Sequence, residues 1–175
     1  YGSENYLKQQ YKQKLKQALI PPDDTINFSR FEGQHADPQA IIDLAETLPF
    51  FADYRLIVVE DSGFFKNSCE TLANYLPNLP SSTILVFTES EVDKRGKMYK
   101  AANKSGRAIE FAQQNEQLLT RWILGRLKRE NKKITQNVLQ LFLSKTGSDM
   151  GNIDKELEKL LCYTLNKEVI DATDV

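Results

Sequence analysis

Two stretches, Leu56-Ile57-Val58-Val59 and Ile84-Leu85-Val86-Phe87, are apolar throughout, with no polar residue between their ends. A strand with one wet face alternates apolar and polar side chains. Runs without that alternation suit strands covered on both faces, as in a parallel sheet between layers of helix. Arg55–Glu60 and Thr83–Thr88 are therefore expected to be strands buried on both faces. Each run is far too short to span a bilayer. At 175 residues, with 41% hydrophobic and 27% charged side chains, the chain has material for one large or two small domains, and its composition excludes collagenous, disordered and disulfide-scaffold classes.

Around those strands the pattern is helical. Ser3 is a candidate N-cap for a helix with Leu7, Tyr11, Leu15, Ala18 and Leu19 on one face, stopped by Pro21-Pro22. Thr25–Phe31 reads as a strand, and Pro38 opens a helix running to about Thr47. Cys69–Leu76 and Lys94–Lys104 read as helices, the latter ended by Gly106, and Ala108–Phe111 as a further short strand. From about Gln113 the strand signals stop. Leu118, Leu119, Trp122, Ile123 and Leu127 form one helical stripe. Thr135 caps a helix with Val138, Leu139, Leu141 and Phe142, and Asp149 caps a third with Ile153, Leu157, Leu160 and Leu161. The expected division is an α/β domain over 1–112 and a three-helix domain over 113–175.

Chemistry-bearing residues are sparse. His35 is the only histidine and lies in a loop, which speaks against Ser-His-Asp and Cys-His nucleophilic sites. Cys69 and Cys162 are 93 positions apart, with no metal or CxxC spacing, and read as inert thiols. No charged-then-apolar leader opens the chain, which starts at Tyr1, and the expected compartment is the cytoplasm. The sequons at Asn27 and Asn103 read as chance matches. No catalytic residue, metal ligand or cofactor is assigned.

Three features remain. Glu60-Asp61, at the end of an aliphatic strand, resembles the acid that holds magnesium in P-loop ATPases. No GxxxxGK[ST] loop accompanies it, and Glu4 at a helix start would repel a phosphate. Next, Lys94–Lys133 holds twelve basic and three acidic residues, a charge of +9 against a net −1 for the chain, consistent with nucleic acid, an acidic partner or simply solvated helix faces. Finally, Leu48-Pro49-Phe50-Phe51-Ala52-Asp53 places adjacent phenylalanines in a short connection. They either pack under the sheet or protrude to fill a partner's apolar pocket.

Taken in order, Tyr1-Gly2-Ser3-Glu4-Asn5-Tyr6-Leu7, Pro49-Phe50-Phe51-Ala52-Asp53-Tyr54-Arg55-Leu56-Ile57-Val58-Val59, Asp93-Lys94-Arg95-Gly96-Lys97-Met98-Tyr99-Lys100 and Glu156-Leu157-Glu158-Lys159-Leu160 resemble the delta subunit of bacterial DNA polymerase III, along essentially the whole chain. The resemblance implies an AAA+-like α/β domain with flanking helices and a lost P-loop, followed by a three-helix lid. It also implies a native N-terminal strand and a C-terminal collar domain outside this sequence. Met150-Gly151-Asn152 stand where an active relative would carry a sensor arginine.

The implied function is a clamp-loader subunit of the replicative polymerase holoenzyme that binds and opens the sliding clamp on primed DNA without hydrolysing ATP itself. The holoenzyme's nucleotidyltransferase activity would lie elsewhere. Motif match carries the clamp contacts onto Phe50 and Phe51, with Leu48 a neighbour. Lys94, Arg95, Lys97 and Lys100 are candidate DNA or subunit contacts. Implied partners are the clamp, the ATPase subunits, delta-prime and DNA, with no membrane. Two alternatives stand beside it: a divergent nucleotide-binding ATPase domain using Glu60 and Asp61, and a stand-alone DNA-binding module.

Overall fold

A computed structural model describes all residues, Tyr1 to Val175, as two compact units, Tyr1–Ala112 and Gln113–Val175. The first unit is built on three parallel strands, β1 (Phe28–Glu32), β2 (Arg55–Glu60) and β3 (Thr83–Thr88), in the order β1-β2-β3. Register runs from Phe28 opposite Leu56 to Glu32 opposite Glu60, and from Arg55 opposite Thr83 to Glu60 opposite Thr88. All six residues of β2 are buried. Successive side chains leave a strand on opposite faces, so Ile57 and Val59 join one core and Leu56 and Val58 the other.

The larger core is closed by α2 (Pro38–Ala45), α4 (Glu70–Tyr75) and α5 (Lys97–Ser105), through Ile41, Ala45, Leu72, Ala73 and Met98, with Phe65 from the short α3 (Phe64–Asn67). The smaller core packs Ile20, just past α1 (Asn5–Leu19), with Leu56 and Val58. This is the layered α/β arrangement that the unalternating runs suggest, and β2 meets it in full; β3 lies at the edge of the sheet, and its residues Ile84 to Thr88 are only partly buried.

Several boundaries differ from the sequence reading. Glu4, not Ser3, caps α1, its carboxylate accepting from the Tyr6 N–H at 3.1 Å. A carboxylate here also faces the positive end of the helix dipole. The first strand starts at Phe28 because Asp24 accepts from the Ile26 and Asn27 N–H groups and holds those residues in a turn. The basic helix starts at Lys97, since Asp93 to Gly96 form their own turn.

Ala108–Phe111 lies outside the sheet and bonds to the N-terminal residues instead. The α1 stripe is not buried as a face either. Tyr11 and Leu15 remain 49% and 41% exposed, while Lys8 is buried. Both look into a cleft of about 360 Å³ along β3, whose lining includes Leu85, Phe87 and Ile109.

The second unit packs α6 (Glu116–Arg129), α7 (Gln136–Thr146) and α8 (Met150–Tyr163) around Leu119, Ile123, Leu127, Leu139, Phe142, Ile153 and Leu157. Thr135 and Asp149 cap α7 and α8 through their side-chain oxygens, as their positions suggested. The hydrophobic pattern did not reveal a two-residue parallel pairing of β4 (Lys133–Ile134) with β5 (Val169–Ile170). Lys132 supports that junction by donating to the carbonyls of Leu165 and Lys167. No helix is long and apolar enough to cross a membrane.

Candidate functional site

The connection from α2 to β2 carries the two most exposed large apolar side chains of the first unit, Leu48 and Phe51, with Phe50 between them. Leu48 is 80% exposed, Phe50 56% and Phe51 95%. The two phenyl rings meet edge to face, with centroids 4.6 Å apart at 84°. Phe51 has φ +49°, a left-handed conformation that is uncommon for a bulky residue and costs on the order of 1–3 kcal/mol. Neither ring is packed under the sheet. The strained backbone turns Phe51 outward instead of folding it against its own core.

What holds the loop lies beneath it. Asn27 is 1% exposed. Its side-chain oxygen accepts from the Phe50 N–H at 2.7 Å, and its amide nitrogen donates to the Phe50 carbonyl at 2.8 Å. The same nitrogen also donates to Asp24 at 2.7 Å. Hydrogen bonds from the backbone and side chain of Asn27 hold the Asp24 carboxyl below its ordinary range. Arg55, the first residue of β2 and also buried, spreads its guanidinium over three carbonyls: Thr47 (3.3 Å), Ile26 (3.1 Å) and Leu48 (3.2 Å). These two anchors were not singled out from the sequence. A polar residue flanked by Ile26 and Phe28, and an arginine opening an aliphatic strand, were the available signals.

The opposite end of β2 carries Glu60. Both carboxylate oxygens face Lys12 of α1, at 2.9 and 2.8 Å, and the Arg30 Nε lies 2.5 Å from one of them. Burial alone would raise the carboxyl pKa, but the two cations outweigh it and hold it below the ordinary range. Asp61 accepts from the Ser90 hydroxyl at 3.1 Å. Glu60 is therefore committed to an ion-paired bridge from α1 to the sheet, and no group of three His, Cys, Asp or Glu side chains is assembled that could hold a metal ion.

The basic window is divided between the units, with six of its cationic residues in each. In the first, Lys94 pairs with Glu110 at 2.9 Å, Arg95 with Asp93 at 3.2 Å and Lys97 with Glu70 at 2.7 Å, all on the surface. Lys100 is exposed on α5. His35 is exposed in its loop, and both cysteines are free.

Residues 1–112, more than half the chain, match the family model described as DNA polymerase III, delta subunit. The chain belongs to that family. It is 26% identical over its whole length to DNA polymerase III subunit delta of Bacillus subtilis (strain 168), covering 54% of that protein. Among solved structures it superposes on the Bacillus subtilis DNA clamp loader delta protein with a TM-score of 0.78 at 24% identity, covering all of this chain and 55% of that one. A gamma subunit-related protein from Thermotoga maritima shares the fold more distantly, with a TM-score of 0.56 at 12% identity over 98% of this chain and 57% of that one. The chain thus spans about half the length of these relatives, and its mixed α/β fold with a parallel sheet is theirs.

Proposed function

We propose that this delta-family chain is a clamp-loader module that docks on the sliding clamp through Leu48, Phe50 and Phe51 and favours the clamp's open form without hydrolysing ATP itself. The observation that carries the reading is the aromatic pair held outside its own core, with Phe51 almost fully exposed on a left-handed backbone. Leaving two phenylalanine rings in water is unfavourable unless a partner covers them. Buried aromatics of this kind supply about 2–4 kcal/mol or more at interface hot spots. Opening needs no chemical step: tighter binding to the open clamp than to the closed one shifts the equilibrium by the difference in affinity.

Two observations favour a role without hydrolysis. The N-terminus of α1, where a nucleotide's phosphates would seek free N–H groups, is capped by the chain's own Glu4 carboxylate. At the strand end, Glu60 has both oxygens engaged by Lys12 and Arg30 and offers no free acid for magnesium. In the assembled loader the partners would be the clamp, the ATPase subunits, delta-prime and DNA, with Lys94, Arg95, Lys97 and Lys100 available for DNA or for a neighbouring subunit.

Calorimetric titration of the chain with the sliding clamp of its own organism tests this, alongside a Phe50→Ala/Phe51→Ala variant that keeps its circular dichroism. Binding by the wild type and its loss in the variant are expected. Equal binding by both would move the site elsewhere, and no binding by either folded protein would overturn the clamp reading. Addition of ATP and magnesium is expected to leave the melting temperature unchanged, whereas a rise would restore the ATPase alternative.

A further inference from the structure

We infer that Asp24, Asn27 and Arg55 are positioning residues that set the aromatic loop in its binding geometry before any partner arrives. For its partner the inference rests on the clamp reading; its geometry stands alone. The exposed side chains cannot hold the loop by packing. Its backbone is held from below: Asn27 meets both polar groups of Phe50, and Arg55 takes the carbonyls of Thr47 and Leu48, the first two residues past the C-cap of α2. Asp24 orients Asn27 by accepting from its backbone and side-chain nitrogens at 2.9 and 2.7 Å.

The residue types are specific to the task. Only a short carboxamide presents one acceptor and one donor to a single residue's N–H and C=O, and aspartate would lack the donor. Lysine in place of Arg55 could not reach three carbonyls arranged around a planar fork. A loop fixed before docking loses less freedom on binding, so these anchors act on affinity without touching the partner.

The test measures the Phe50 and Phe51 amide order parameters by NMR in wild type, Asn27→Ala and Arg55→Lys, together with clamp affinity by calorimetry. Rigid values of about 0.85 are expected in wild type, and values below about 0.6 in the variants. Clamp binding is expected to be roughly tenfold weaker or more, with a less favourable entropy. The urea unfolding midpoint of each variant is measured alongside, and the loss of order should be confined to the loop, with the Leu72 and Met98 amides keeping wild-type order parameters, an outcome that general destabilisation would not produce. Unchanged order parameters in folded variants would overturn the inference whether or not the clamp binds. Failure of the wild type to bind would overturn the clamp reading alone.

Discussion

Replacing Phe51 by glycine and, separately, by alanine isolates the backbone at the tip of the aromatic loop. At φ +49° a residue with a Cβ carries a left-handed penalty of about 1–2 kcal/mol, which glycine escapes. The side chain is 95% exposed, so its removal withdraws only a few Å² from burial, about 0.2 kcal/mol. The edge-to-face contact with Phe50 is lost in both variants and cancels between them. Glycine's extra freedom in the unfolded chain takes back roughly 0.5–1 kcal/mol. The glycine variant should therefore be the more stable of the two by about 0.5–1 kcal/mol, or roughly 1–3 °C in a chain of this size. Thermal unfolding of the two proteins side by side measures the difference. Both should bind the clamp far more weakly than wild type, by about 30-fold or more if Phe51 is a hot spot. An alanine variant as stable as the glycine one would refute the left-handed assignment. Undiminished binding by either variant would refute the role given to the ring.

Three further outcomes follow from the packing. Glu60 has its carboxyl pKa lowered in the folded state, so its contribution is complete above the unfolded value of about 4.3 and is lost as the pH falls through the folded one; Glu60→Gln should cost about 2 kcal/mol in urea unfolding at pH 7 and much less at pH 3. Gly2→Ala would set a Cβ 2.4 Å from the Phe111 carbonyl oxygen at φ +120°, and should lower the melting temperature by several degrees, roughly 2 kcal/mol or more. Leu157 is fully buried in the second unit, and Leu157→Ala should cost about 2–5 kcal/mol, read in the fluorescence transition of the sole tryptophan, Trp122, of that unit.

Local chemistry alone was enough to locate much of this protein. Unalternating runs at 56–59 and 84–87 announced a parallel sheet, and for 56–59 one covered on both sides, since a polar residue in that run would be buried without a partner; 84–87 fell on the edge strand and is only partly buried. Thr135 and Asp149 do cap helices, because capping depends on residues only two or three positions away. The adjacent phenylalanines could be noticed, but not whether they pointed inward. That was decided by Asn27, 23 positions before Phe50, and by Arg55 reaching back across the loop, contacts that exist only once β1 and β2 lie side by side. Tertiary structure likewise turned Glu60 from an apparent magnesium-holding acid into the partner of Lys12 and Arg30. It also left the apolar face of α1 looking into a cleft, because no strand covers the outer edge of β3. Periodicity shows which side chains avoid water, whereas the direction of a loop and the partner of a charge depend on residues brought together from distant parts of the chain.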